Sequence, residues 1–142
     1  MDWRRQAALS HYQTAVAIQE ELRSGDVSEA STGLQELIEA LSRSERRALK
    51  SYLVQLMVHI IKWRTQPDRR SRSWAASIAN ARLEIRDIQE ETPSLSDDVI
   101  RSMWDECFSR ARRQAEGEMN QRSAVKALTR KQLFDQEYEF AE

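Results

Sequence analysis

Four arginines, Arg64, Arg69, Arg70 and Arg72, crowd one short stretch between Trp63 and Trp74, interleaved with Ser71 and Ser73. Guanidinium groups are forked donors that match phosphate and carboxylate oxygens, and indole faces beside them suit stacking or cation-π contact. A surface that grips a polyanion has this make-up. So does a turn pinned by ion pairs to acidic neighbours. From Arg43 to Arg72 there are nine cations against two carboxylates, Glu45 and Asp68. The flanks compensate, with Glu20, Glu21, Asp26, Glu29, Glu36 and Glu39 before the strip and Glu84, Asp87, Glu90, Glu91, Asp97 and Asp98 after it. The candidate binding residues are Arg46, Arg47, His59, Lys62, Arg64, Arg69, Arg70, Arg72 and Trp74.

Catalytic chemistry finds less to work with. There are two histidines, His11 and His59, and neither has a carboxylate, cysteine or second histidine one helical turn away, so no local metal pair forms. His59 is expected to be a satisfied core or near-core residue. Gly25, Gly33 and Gly117 lie too far apart for a glycine-rich phosphate loop or dinucleotide fingerprint. No serine occupies a nucleophile elbow. Cys107 falls on an apolar stripe, where a small inert hydrophobe is expected rather than a reactive thiol. No catalytic residue, metal ligand or cofactor is assigned.

The elements that must position these residues are helical. In "LKSYLVQLMVHIIKW", Leu49, Leu53, Leu56, Ile60 and Trp63 fall on one stripe, while Val54, Val58 and Ile61 carry apolar surface round the other side. A helix apolar nearly all round belongs in the middle of a protein. Its span is expected at about 45–66, opened by a capping box of Ser42 and Glu45 and closed before Pro67. Ahead of it, one helix is expected from about Asp2 to Arg23, stopped at Gly25, and a second from about Glu29 to Leu41 with Ser28 as its cap. Leu34, Leu37, Ile38 and Leu41 form the stripe of that second helix, and Gly33 weakens it by roughly 1 kcal/mol relative to alanine. After the basic turn, Ser71 or Ser73 caps a helix with Trp74, Ile78, Ala81, Ile85 and Ile88 inward. Ser94 or Ser96 opens another, whose inner face holds Val99, Ile100, Met103, Trp104, Cys107, Phe108, Ala111 and Ala115. Asp97 and Asp98 suit the positive end of its dipole. The pattern fades through 117–142, the loosest part of the chain, until Thr129 and Gln132 make a capping box before a short helix. The end carrying Tyr138 and Phe140 is expected to dock or fray.

The chain of 142 residues has 32% charged and 40% hydrophobic residues, three glycines and two prolines, with a net charge of -1. Few turn residues and strong helical periodicity predict one all-α domain over 1–142, a compact bundle of about five main helices plus a short C-terminal one. A balanced charge supplies no global field for nucleic acid or anionic lipid. The longest apolar run is far shorter than the about 20 residues a membrane span needs, so no membrane role is expected. A single cysteine forms no internal disulfide, and the start lacks a leader pattern, which makes a cytoplasmic protein the simplest expectation.

The string "SRSERRALKSYLVQLMVHIIKWRTQPDRRSRSW" resembles the central signature of the bacterial family filed as domain of unknown function twenty-nine. The likeness continues through "RLEIRDIQEETPSLSDDV", "ARRQAEGEM" and "LTRKQLFDQEYEF", nearly the whole chain. Signature positions map to Glu45, Arg46, Arg47, His59, Lys62, Trp63, Pro67, Arg69, Arg70, Ser71, Ser73 and Trp74. The resemblance implies a small all-helical bacterial protein and no assigned activity. The leading functional expectation is a non-enzymatic interaction or regulatory module, in the manner of an antitoxin, that holds an acidic protein surface or a second copy. The alternative is nucleic-acid binding through the arginine-rich turn 64–73. A third is an enzyme assembled round His59 with Arg69 or a distant acid.

Overall fold

The structure, a computed structural model, describes residues 1–141. Six α-helices and one short 3-10 helix, Pro67–Arg69 within the basic turn, account for the regular structure, with no strand among the described residues. They are α1 (Trp3–Leu9), α2 (His11–Arg23), α3 (Val27–Thr65), α4 (Arg72–Glu91), α5 (Asp97–Met119) and α6 (Arg130–Phe134). The all-α expectation holds. The partition of its first half differs. By its contacts the chain divides into two compact units, Met1–Arg47 and Ala48–Glu142.

In the first unit the helix expected from Asp2 to Arg23 is two. Ser10 adopts an extended conformation (φ -159°, ψ 116°), and its hydroxyl accepts from the Gln13 amide, so it ends α1 and caps α2. Serine competes for backbone groups in this way and so favours caps over helix interiors. Thr14, fully buried, donates its hydroxyl to the Ser10 carbonyl at 2.7 Å. Gly25, at φ +86°, supplies the left-handed turn after α2. Asp26, rather than Ser28, caps α3 by accepting from the Glu29 amide. The core of this unit is Trp3, Ile18, Ala30 and Leu37.

Gly33 belongs to that core. A Cβ there would lie 2.8 Å from two carbons of the Trp3 ring and 2.9 Å from Ile18. The helix therefore gives up propensity to let an indole reach its backbone. Trp3 Nε1 also donates to the Glu29 carboxylate.

The capping box expected at Ser42 and Glu45 does not form, and α3 runs through it for 39 residues. A capping serine must be extended, and nothing between Leu41 and Glu45 forces that, since neither proline nor glycine occurs there. The helix stops at Thr65, as Pro67 requires.

In the second unit the later part of α3 is buried as its composition predicts. Leu49, Leu53, Leu56, Met57, Ile60 and Ile61 are fully buried, each contributing about 1.5–3 kcal/mol of transfer free energy. Round it lie Ile78, Ala81 and Ile85 of α4, and Ile100, Met103, Cys107, Ala111 and Ala115 of α5. Ser71 caps α4 by accepting from the Trp74 amide. Asn120, left-handed at φ 50°, ends α5. The segment after Gly117 docks on this core through Val125, Leu128, Leu133 and Tyr138, and the Thr129–Gln132 capping box is present. Val125 and Tyr138 are core residues, so the end docks at Tyr138, while Phe140 stays exposed.

Candidate functional site

The basic turn is built on the last helical carbonyls of α3, which have no partner further along the helix. Arg70 supplies one: its Nε donates to the Trp63 carbonyl oxygen at 2.8 Å, and its guanidinium lies 4.9 Å from the centre of the Trp63 ring. Lys62 turns elsewhere. Its side chain, 13% exposed, pairs with Glu118 at 3.1 Å and lies 5.9 Å from the Trp74 ring. Two of the candidate cations are thereby committed to holding the turn. Arg64 and Arg69 are exposed, as is Arg72 in the first turn of α4; Trp74 is half-buried. Arg46 and Arg47 are exposed on α3 within the first unit.

His59 is half-buried, and its Nδ1 lies 2.8 Å from the Gln55 carbonyl oxygen. A carbonyl only accepts, so Nδ1 carries the proton. This is a satisfied helical histidine bonded to backbone. Among the described residues no three of His, Cys, Asp and Glu converge as metal ligands. Cys107 is buried, its Sγ 3.9 Å from the Lys50 carbonyl oxygen, and burial pushes its thiol above the ordinary value.

The wall facing the turn is made by α6 and the segment after it. Trp63 meets Tyr138 edge-on, with ring centres 5.8 Å apart, and the Tyr138 hydroxyl donates to the Gln132 carbonyl at 2.8 Å. Arg82 organises this wall. Its guanidinium donates to the carbonyls of Leu133, Gln132 and Gln136 and lies 5.4 Å from the centre of the Tyr138 ring. Burial depresses the arginine's affinity for its proton, against the opposing pull of Tyr138, Asp135 and Glu137. Sequence reasoning passed over Arg82, yet a signal existed: it lies four residues after Ile78 and three before Ile85, a charge set on an apolar stripe.

Ser123 is the second residue missed. It is 4% exposed; its amide donates to Glu116, its carbonyl accepts from Arg112, and its hydroxyl contacts Thr65 at 2.8 Å and accepts from the Val125 amide. That knot fixes the chain leaving α5 against the end of α3. No local pattern announces it, because its partners come from distant positions.

Two clefts open beside the turn. One, of about 580 Å³, is lined by Trp63, Arg64, Arg70, Gln132, Gln136, Glu137 and Glu139. The other, of about 310 Å³, is lined by Arg64, Thr65, Gln121, Arg122, Ala124 and Val125. Arg64 borders both. These side chains offer hydrogen-bond donors and acceptors; no nucleophile with an adjacent base stands among them.

The family described as Domain of unknown function DUF29 matches residues 11–139. The chain belongs to this family. DUF29 spans α2 to the end of the docked tail, so the turn, Arg82 and both clefts lie within the matched region. No curated protein and no solved structure matches the sequence. DUF29 brings no assigned activity.

Proposed function

We propose that this DUF29 protein is a non-enzymatic interaction module that seats an acidic amphipathic helix of a partner protein on the first part of α3. One observation carries the reading. Leu34, Ile38 and Leu41 recur at the i, i+4, i+7 spacing of one helical stripe, yet they are 48%, 52% and 40% exposed. Of the stripe expected to be core, Leu37 alone is buried. A contiguous apolar stripe left in water marks an interaction surface, and this spacing is the one with which a partner helix is held in a groove.

Arg43, Arg46 and Arg47 follow within two turns, exposed, while Glu39 and Glu45, also exposed, border the same stripe. A partner helix fits by its apolar face first, with acids placed to meet the arginines. A regulatory role, including one of the antitoxin kind, requires such a partner and no chemistry of its own. The turn supports nucleic-acid binding less well, because Arg70 and Lys62 spend their charge on Trp63 and Glu118.

The test is affinity purification with crosslinking, using wild type and a Leu34→Ser, Ile38→Ser variant matched by circular dichroism. A helical, acidic partner held by wild type, lost by this variant and weakened by Arg43→Gln with Arg46→Gln supports the reading. Equal retention by all three proteins overturns it.

A further inference from the structure

The smaller cleft presents hydrogen-bond donors and no carboxylate. Arg64 and Arg122 both line it, and among the described residues neither has a salt bridge. Neighbouring cations differ: Lys62 has Glu118 at 3.1 Å and Arg112 has Glu116 at 3.8 Å. Those acids, nearest along the chain to Arg122, are thus already engaged. Glu116 also accepts the Ser123 amide. Two like charges bordering one cavity repel each other, a cost that a bound anion removes.

Its other polar lining agrees. Gln66 donates to the Gln121 side-chain oxygen at 2.9 Å, which leaves the Gln121 amide nitrogen, a donor, for the cavity. Thr65 adds a hydroxyl held in place by Ser123. Val125, 8% exposed, and Ala124 complete the lining. Guanidinium forks with an amide and a hydroxyl match a tetrahedral oxyanion, whose several oxygens need several donors. Arg64 also borders the larger cleft, where Glu137 and Glu139 stand, so the anion's place is on the Arg122 side.

We infer that this cleft is a binding site for a small phosphate-bearing molecule, held between Arg64 and Arg122. Its volume, about 310 Å³, lies at the lower end of ligand sites, which run from about 300 to 1,000 Å³, and accommodates one phosphate with a small organic group rather than a strand. The site is independent of the apolar stripe on the first part of α3.

The experiment is a titration of the full chain with inorganic phosphate at constant ionic strength, followed by nuclear magnetic resonance of backbone amides and arginine Nε–H groups. Saturating shifts confined to Arg64, Arg122 and residues 121–125 are expected, reproduced by sulfate and absent with chloride. Arg64→Gln and Arg122→Gln should each weaken binding at least tenfold, while Arg69→Gln, outside the cleft, leaves it unchanged; melting curves confirm that each variant folds. Phosphate should raise the melting temperature of wild type and not of the double variant. Shifts that chloride reproduces, or that survive in the double variant, overturn the site. A single-stranded oligonucleotide that displaces phosphate from the same arginines and binds over a hundredfold tighter overturns the small-molecule assignment in favour of nucleic acid.

Discussion

Arg70 and Trp63 are joined twice, by a 2.8 Å hydrogen bond from the arginine Nε to the tryptophan carbonyl and by a guanidinium 4.9 Å from the centre of its indole ring. One side chain thereby satisfies a helix-end carbonyl and covers an aromatic face, and only a planar guanidinium does both. Arg70→Ala is expected to destabilise the protein by about 1.5–3 kcal/mol, the range for a hydrogen bond involving a charged group, and Arg70→Lys should recover less than half. Arg69→Ala, at an exposed position, should stay within about 0.5 kcal/mol. Urea denaturation of the three variants decides the matter; equal effects at both positions would remove the structural role.

Gly33→Ala sets two effects of opposite sign against each other. Helix propensity favours alanine by about 1 kcal/mol, while the new Cβ would sit 2.8 Å from the Trp3 ring, an overpacking that costs about 1–3 kcal/mol. Rigid ring carbons give way poorly, so net destabilisation is expected, with a changed Trp3 near-ultraviolet signal. A stabilised variant would mean that the indole moves aside freely.

Arg82→Met leaves the carbonyls of Gln132, Leu133 and Gln136 without their shared donor. A loss of about 2–4 kcal/mol is expected, more than one ordinary hydrogen bond, because three acceptors, on buried Leu133, half-buried Gln132 and exposed Gln136, lose a charged partner. Hydrogen exchange should speed up in α6 and the following residues before it does in α5. Unchanged protection in α6 would show that its packing, not Arg82, holds it.

The Tyr138 phenol is raised above its ordinary value, chiefly by burial, with Arg82 and Arg64 pulling the other way. The folded chain therefore keeps this proton where the unfolded chain has lost it. The contribution is complete below the ordinary tyrosine value of about 10 and is lost as pH rises through the higher folded value. Unfolding free energy followed from pH 9 to 11 should fall, and Tyr138→Phe should flatten that limb. An identical alkaline limb in the variant would assign it to other groups.

Cys107 should resist a thiol reagent at neutral pH, since it is fully buried and its pKa is raised by burial. Labelling is expected to track global unfolding in urea. Fast labelling of the native protein would mean that α5 opens locally.

Much of this architecture is local, and so legible in one dimension. An apolar run without proline from Leu49 to Trp63 can only be a buried helix, and Pro67 ends it through sterics within two residues. Gly25, the Ser71 cap and the Thr129–Gln132 box act over three or four residues, so composition and spacing suffice. The box at Ser42 and Glu45 failed for a related reason: the motif permits a helix start but does not compel one, and a growing helix passes a serine at small cost. The resemblance in the central signature identified the family because those strings are long and specific.

What the tertiary structure decided is what depends on residues far apart in the chain. Which stripe is core and which is surface cannot be read from periodicity, since Leu34, Ile38 and Leu41 have the same pattern exposed as Leu49, Leu53 and Leu56 have buried. Gly33 reads as a weak helix residue until Trp3 is placed against it. The basic turn reads both as a polyanion surface and as an ion-pair lock until Trp63 takes Arg70 and Glu118 takes Lys62, and Arg122 gains meaning only beside Arg64, 58 positions away in sequence and on the same cleft. Backbone rules act through neighbouring atoms and are written in the order of residues. Burial and charge pairing act through space, and only the folded chain assigns their partners.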